Sequence, residues 1–460
     1  MTSISGSSPC CKSELDLFYS LPTNTSITSS SYTNVESSPL TGTEENFKID
    51  IVGNDDYIDL NDIYLKLEVQ LIKVDGTTFM DKDSKIGPIN NLAHSLFRKI
   101  DLSIGKGLQK TLVEIGSSHY AYKAYLLNLL NYGEDAKESW LQSGLFYKDE
   151  AGQFDNCSIA KTKDIELKAE SFTTSTTTTT NNLSIPIPFN PGYIDRRQQF
   201  VDGKGILKLI IPLHLDLLHS NRFLINHMGI FFEFERNKDT FVLMGDDGFK
   251  ICIKKASIRV RKCQIHERVK LAHISALQIS PLKYPLRQNR VIVSTIDSGS
   301  MEYTISHMNG KIPNKILCGL VLDSAYNGAL KENPFHFQAF NLSNVTLIVN
   351  NDTRVIKIDP KKNDFIEGYH SINESLNLYG QMGNGIRKSE YLKGNCLFCF
   401  NLNPDKGCEE QYNILKEGSI SIILNFSENV DKKLKLIVLM EHDNQLKINN
   451  KQEVIFDYNL

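Results

Sequence analysis

From residue 47 onward, apolar and polar positions alternate with period two in one short run after another. Phe47-Lys-Ile-Asp-Ile51 and Tyr57-Ile-Asp-Leu-Asn-Asp-Ile-Tyr-Leu-Lys-Leu-Glu-Val-Gln-Leu71 are the clearest, the second leading to a turn at Asp75-Gly76. Successive side chains of a strand point to opposite faces, so these runs predict strands with one face in a core and one in water. The signal recurs at Ile100-Asp-Leu-Ser-Ile104, Ile206-Leu-Lys-Leu-Ile210, Gly229-Ile-Phe-Phe-Glu-Phe234, Ile258-Arg-Val-Arg261, Leu317-Cys-Gly-Leu-Val-Leu322, Val345-Thr-Leu-Ile-Val349, Ile420-Ser-Ile-Ile-Leu424 and Leu434-Lys-Leu-Ile-Val438. Helical periodicity is limited to Tyr120–Leu130, stopped by Gly133, and Glu267–Leu277, ended before Pro281. Strands that do not alternate regularly with helices predict an all-β chain of antiparallel sandwiches rather than a parallel α/β sheet.

Two segments lack the pattern. Residues 1–44 are dense in Ser and Thr and read as a flexible arm, disordered until it docks. Ser171-Phe-Thr-Thr-Ser-Thr-Thr-Thr-Thr-Thr180 has no apolar stripe, and β-branched Thr resists helix, so it reads as an exposed loop.

Three blocks occur twice in the same order, the mark of a duplicated domain. Pro88-Ile89, Leu96 and the run Ile100–Ile104 correspond to Pro334-Phe335, Leu342 and the run Val345–Val349. Leu127-Asn-Leu-Leu-Asn-Tyr-Gly133 corresponds to Ser375-Leu-Asn-Leu-Tyr-Gly380, each a short helix closed by glycine. Ile230-Phe-Phe-Glu-Phe234 corresponds to Ile422-Ile-Leu-Asn-Phe426, each leading to a strand ending in Leu-Met, at Met244 and Met440. With 460 residues, two domains are expected. Their expected bounds are 45–265 for the first, with the Thr-rich insertion, 266–280 for a helical linker, and 281–460 for the second.

Composition narrows the function classes. Hydrophobic residues at 41% and charged residues at 23% are those of a globular chain with a core. A net charge of -3, from 51 basic and 54 acidic residues, gives no global field to attract nucleic acid. Apolar stretches such as Leu434–Met440 fall far short of a membrane-spanning helix, and Met1–Cys10 has neither the basic nor the apolar region of a secretion signal. Nine scattered cysteines fit reduced thiols inside a cell, where sequons such as Asn344-Val-Thr346 carry no glycan.

Asp16-Leu-Phe18, Gly53-Asn-Asp-Asp-Tyr-Ile-Asp-Leu60, His94-Ser-Leu-Phe97, Tyr132-Gly-Glu-Asp-Ala136 and Asn333-Pro-Phe335 form a series that resembles double-jelly-roll major capsid proteins. The similarity is greatest to those of Polinton/Maverick-type elements and related animal viruses, and runs from about Asp16 to Asp443. The resemblance implies two tandem jelly rolls, homotrimers acting as pseudo-hexameric tiles, and an icosahedral shell. It also implies a penton or minor capsid partner and a place in the virion after synthesis in the host cytoplasm, with assembly there or in the nucleus. Whether the gene belongs to an infecting virus or a resident element, and which way the Thr-rich loop faces, stay open.

The chain offers little reactive chemistry. Cys396-Leu-Phe-Cys399 with Cys408 lacks the second pair of a structural zinc site and reads as core strand. His214, Asp216 and His219, and separately Glu441-His-Asp443, follow apolar strands without any recognisable motif around them. Gly105-Lys-Gly107 lacks phosphate-loop spacing and reads as a tight turn. Lys254, Lys255, Arg259, Arg261 and Lys262 lie along one strand and read as a solvated face, with packaged nucleic acid or an acidic neighbour as the alternative. No catalytic, metal or cofactor residue is assigned. The expected function is structural self-association, with a glycan- or surface-binding β-sandwich as the rival and an enzyme last.

Overall fold

The computed structural model describes residues 13–15, 17–18, 20–40, 42, 44–76, 84–107, 109–114, 116, 118–159, 162–167, 181–186, 188–378, 383–406, 411–414 and 416–456. Among them, two sandwiches follow one another along the chain. The first is built from β1 (Ile27–Glu36), β2 (Asn46–Ile51), β3 (Tyr57–Lys73), β4 (Phe97–Lys106), β5 (Gln109–Glu114), β6 (Ile206–Pro212), β7 (Gly229–Arg236) and β8 (Phe249–Ile265). The second comprises β9 (Leu282–Ile296), β10 (Glu302–Lys311), β11 (Lys315–Leu322), β12 (Leu342–Val349), β13 (Asp352–Lys357), β14 (Leu397–Asn401), β15 (Glu417–Phe426) and β16 (Leu434–Ile448).

Their sheets have the same order. In the first sandwich, one sheet runs β1-β8-β3 with β6 on the far side of β3, and the other runs β2-β7-β4-β5. In the second, the sheets run β9-β16-β11-β14 and β10-β15-β12-β13. Each strand of the first therefore has its counterpart eight strands later, and every pairing is antiparallel. Eight strands in two sheets, connected in this order, make a jelly roll, and the chain holds two; one sheet of each also carries a short fifth strand, Phe223–Leu224 on β3 and Val454–Phe456 on β16.

The period-two pattern does what it predicts. Along β3 buried positions alternate with partly exposed ones from Ile63 to Leu71, and β15 alternates likewise from Ile420 to Phe426. On the inward face of the β2-β7-β4-β5 sheet, Phe47 of β2 stacks on Phe234 of β7 at 4.8 Å and Phe97 of β4 lies 5.0 Å from the same ring. Burying aromatic pairs of this kind dominates the energetics of such a core.

The duplicated blocks fall on equivalent elements: 100–104 and 345–349 lie in β4 and β12, and 230–234 and 422–426 lie in β7 and β15. Of the second block, 127–131 lies in α1 (Tyr120–Asn131), between β5 and β6, but its counterpart does not form the helix expected at 375–380: α4 (Ile366–Ser375), between β13 and β14, ends at Ser375, 376–378 are not helical, and Gly380 lies outside the described residues. The third block matches only in part. Met440 belongs to β16, whereas Met244 lies in a three-residue strand, Leu243–Gly245, paired with Ile86–Pro88. The true counterpart of β16 is β8, and apolar content alone does not separate the two.

A second correction concerns the arm. Ile27–Glu36, expected within flexible residues 1–44, is the first strand of the first jelly roll, hydrogen-bonded along β8 from Ile27↔Ile265 to Glu36↔Ser257. Its side chains are almost all exposed, so no apolar alternation announced it. The ladder holds it, helped by Tyr32, whose hydroxyl donates to Asp62 at 2.7 Å and whose ring lies 3.9 Å from the Arg259 guanidinium. The segment 171–180 lies outside the described residues; the strands flanking it, Thr162–Leu167 and Asn181–Pro186, pair as a hairpin.

Of the longer helices, α1 and α3 (Glu267–Ile279) lie where periodicity puts them; α2 (Pro191–Asp202) and α4 are additions. The start of α2 carries a local signal, since Asn190 accepts from Tyr193 N at 3.3 Å and Pro191 sits in the first turn.

Candidate functional site

The feature that distinguishes this chain from two separate sandwiches is the seam between them. Helix α1 runs through it, buried nearly all round, which is why its apolar pattern has no polar stripe. Tyr125 stacks on Phe335, from the connection between β11 and β12, at 4.0 Å with 2° between ring planes. Tyr122 meets the edge of the same ring at 5.5 Å, and Phe241 of the first sandwich meets it at 6.3 Å. The Asn333-Pro-Phe335 motif thus acts as a plug, with Phe335 wholly buried between aromatic rings of the other jelly roll.

Beside the plug lies a buried polar hub. Asp149 and Arg196 are both fully buried and pair at 2.7 Å, Arg196 also donating to the carbonyls of Tyr147 at 2.8 Å and Pro88 at 3.2 Å. Asp149 accepts from Asn190 at 2.9 Å and, at 3.4 Å each, from Asn90 and from Asn333 of the second jelly roll. Asp155 receives the Asn333 backbone N–H at 2.6 Å and His336 at 2.7 Å. Further across, Lys137 donates to the carbonyls of Leu129 and Asn384, and Lys148 pairs with Glu390 at 2.7 Å. Burial, reinforced by the nearby charge of Lys148, lowers the Lys137 ammonium to about 7.

His214 and Asp216, singled out in the sequence, belong to this seam. Lys123 of α1 lies 2.8 Å from both Glu114 and Asp216, and Asp216 accepts the backbone and side-chain N–H groups of Asn289 in β9 at 3.0 and 3.1 Å. Burial, with Asp216 beside it, pushes Glu114 up to about 7 against the pull of Lys123. Lys123 itself is held above its ordinary range: burial works against its charge, and the two carboxylates outweigh it. His214 Nε2 donates to Asn128 Oδ1 at 2.7 Å and its ring stacks on His94 at 4.8 Å. Burial lowers His94 to about 3 and takes His214 well below the ordinary imidazole range, so both are neutral structural groups. The carboxylate of Asp216 is already engaged by Lys123 and Asn289 and is not presented as a base.

One juxtaposition was invisible in the sequence. His214, Asp216 and His219 share a cavity of about 840 Å³ with Glu441 and Asp443, which come from β16 of the other jelly roll. Among the described residues no group of three His, Cys, Asp or Glu is arranged to hold a metal ion. Cys396 and Cys399 are buried, their thiols pushed up to about 12 and about 11 by burial, and Cys408 lies outside the described residues. Gly107, at φ 61°, makes the turn after β4, and a Cβ on Gly105 would lie 1.8 Å from the Gln109 carbonyl oxygen. The basic run of β8 is largely spoken for: Arg259 covers Tyr32, Arg261 pairs with Asp59 at 3.0 Å, and Lys262 donates to the Val52 carbonyl. No helix of the described residues is long and apolar enough to cross a membrane.

No protein-family model matches the chain. An uncharacterized protein of Caenorhabditis elegans is 24% identical over 432 residues, covering 88% of this chain and 92% of that protein. Among solved structures, a chain of the Sputnik virophage superimposes with a TM-score of 0.61 at 11% identity, covering 99% of this chain and 93% of its own. The mavirus major capsid protein gives 0.51 at 10% identity, covering 100% and 96%, and a chain of the PBCV-1 virus capsid gives 0.54 at 10%, covering 96% and 100%. The fold is the double jelly roll of viral major capsid proteins. The match spans both jelly rolls. Part of the motif series has a structural meaning: His94, Phe97, Asn333 and Phe335 are buried inside the double jelly roll, while Tyr132 is partly buried against Trp140 and Leu17 and Phe18 are exposed.

Proposed function

We propose that the chain is the major capsid protein of an icosahedral shell, a non-enzymatic protein that forms homotrimers acting as pseudo-hexameric tiles. The observation that carries the reading is the end-to-end match with the mavirus major capsid protein, over 100% of this chain and 96% of that one. The seam supports it. Three copies of a chain carrying two similar sandwiches present six similar blocks around a closed axis, provided each pair keeps one mutual orientation, and the Phe335 plug and the Asp149 hub supply that orientation. Jelly rolls suit such a tile because pairing within the sandwich occupies most strand edges while loops at the ends are free to differ.

In this reading the jelly rolls span about 27–265 and 282–456, with α3 as the linker, and the tile takes a penton or minor capsid protein as a further partner in the virion. The nematode relative favours a chain encoded in an animal genome. Size-exclusion chromatography with light scattering, followed by negative-stain microscopy, tests the proposal. Trimers and closed shells or hexagonal sheets are expected; a strict monomer at high concentration overturns it.

A further inference from the structure

We infer that the cavity of the seam is a docking site for an extended peptide of a partner protein, one that carries an aliphatic side chain flanked by acidic residues. The cavity of about 840 Å³ opens between the jelly rolls, and it adjoins a smaller recess of about 60 Å³ with which it shares Leu127, Leu130, Leu376, Asn289, Lys315 and Glu441. The recess is closed by Leu126, Leu317, Leu439 and Cys399, giving an apolar floor to an otherwise polar vestibule. A small apolar recess inside a polar rim takes one anchoring side chain and fixes its neighbours by charge.

The charge of the rim sets the sign of those neighbours. Each of its carboxylates has a cation nearby: Asp216 beside Lys123 and accepting from Asn289, Asp443 at 3.7 Å from Arg287, and Glu441 at 3.8 Å from Lys315, its Oε1 buried without a hydrogen bond. Arg222 and Lys283 are exposed at the mouth, and among the described residues neither makes an ion pair; Arg222 donates only to the Lys283 carbonyl. Among the described residues the lining carries four Lys and Arg (Arg222, Lys283, Arg287, Lys315) against three Asp and Glu (Asp216, Glu441, Asp443), and the cations without an ion pair are those of the mouth. On the wall, Ser220 is 5% exposed and its hydroxyl oxygen is buried without a hydrogen-bond partner among the described residues. Acidic groups alone, as in a nucleic acid, satisfy the mouth and leave the recess empty. An acidic segment with a leucine-sized anchor satisfies both.

The probe is a fluorescein-labelled peptide, Gly-Asp-Glu-Asp-Leu-Asp-Glu-Gly, titrated with the full-length protein and read by fluorescence anisotropy. Replacing its Leu by Ser is expected to weaken binding about tenfold or more, the loss that goes with an unburied aliphatic side chain. The double variant Arg222→Glu with Lys283→Glu, at exposed positions that leave the fold alone, is expected to weaken it at least about tenfold. Leu376→Trp, which fills the recess, is expected to abolish the Leu-over-Ser preference. Equal binding of the Leu and Ser peptides, equal displacement by a short oligonucleotide, or an unchanged affinity in the Arg222/Lys283 variant overturns the inference. Binding is read on soluble protein of any oligomeric state, so its failure and a failure to form trimers are separate outcomes.

Discussion

Replacing Asp149 by alanine tests whether the seam is held by its buried hub. The side chain is fully buried, and its loss leaves the equally buried Arg196 guanidinium with two carbonyls, Tyr147 O at 2.8 Å and Pro88 O at 3.2 Å, and no counter-charge. Breaking a buried pair by removing one partner costs about 3–5 kcal/mol. The asparagines are hurt less, because Asn190 keeps Gln153 O at 3.2 Å and Asn333 keeps Phe154 O at 3.2 Å. A total of about 4 kcal/mol is therefore expected for Asp149→Ala, a large share of the roughly 5–15 kcal/mol that ordinarily holds a domain folded. Replacing both partners, Asp149→Leu with Arg196→Met, removes the orphaned charge and is expected to recover most of that loss. Urea unfolding reads it, followed by far-ultraviolet circular dichroism and by the fluorescence of the single tryptophan, Trp140, which meets Tyr132 at 5.0 Å beside α1. If Asp149→Ala unfolds within about 1 kcal/mol of the parent, or the double variant is less stable than the single, the hub does not hold the seam as argued.

Three further perturbations probe neighbouring parts. Phe335→Ala empties a fully buried site between Tyr125, Tyr122 and Phe241, and is expected to cost about 4 kcal/mol in the same urea assay. Gly105→Ala puts a methyl carbon 1.8 Å from the Gln109 carbonyl oxygen, so the turn after β4 must open; a loss of about 2 kcal/mol is expected, read as a lowered thermal midpoint. The pH dependence has a definite sign. Glu114 is raised to about 7 in the folded chain, so its contribution is present in acid and lost as pH rises from about 4.5 to about 7; Lys137 is lowered to about 7, so its contribution is present at high pH and lost as pH falls from about 10.5 to about 7. Buried neutral His94 and His214 work against the Glu114 limb in the parent, since their contribution is lost as pH falls below about 6.5, so each carboxyl or ammonium effect is read as a difference from its own variant. The stability lead of the parent over Glu114→Gln is expected to shrink as pH rises toward 7, and its lead over Lys137→Met to grow as pH rises above 7; a difference that does not change with pH in either pair refutes this.

The two sandwiches were legible because most of their strands carry period-two alternation and because the duplication repeats it. What alternation cannot show is a strand held by its ladder alone. Ile27–Glu36 buries almost nothing, so Ser and Thr there read as an arm although the backbone pairs with β8 along its length, with one irregularity at Thr28. The three-residue strand at Met244 misled for the opposite reason, being buried throughout without belonging to either sandwich. At the seam, spacing could locate His214 and Asp216 as a pair, and Glu441 and Asp443 as another, but their meeting in one cavity depends on how the jelly rolls pack. That packing rests on Phe335 and Asn333, which the motif series singles out in sequence without showing that they insert into the other jelly roll.

The inequality of the two copies is what fixes their pairing. Two identical sandwiches side by side present flat, similar faces that can slide or turn against each other. Here the first copy sends a long connection from β5 to β6 into the seam, and most of the side chains that reach the second copy come from it: Tyr122 and Tyr125 on α1, then Lys137, Lys148, Asp149 and Asp155. The second copy, with a shorter connection at the same place, supplies the parts that are gripped: Asn333 and Phe335, and the carbonyls of Asn384 and Gly385. One partner is a socket of aromatic rings and buried charge, and the other an aromatic plug, so a single orientation satisfies all the contacts at once. Duplication supplies two similar blocks, and divergence of one connection sets the angle between them, which is the quantity a flat tile must hold constant.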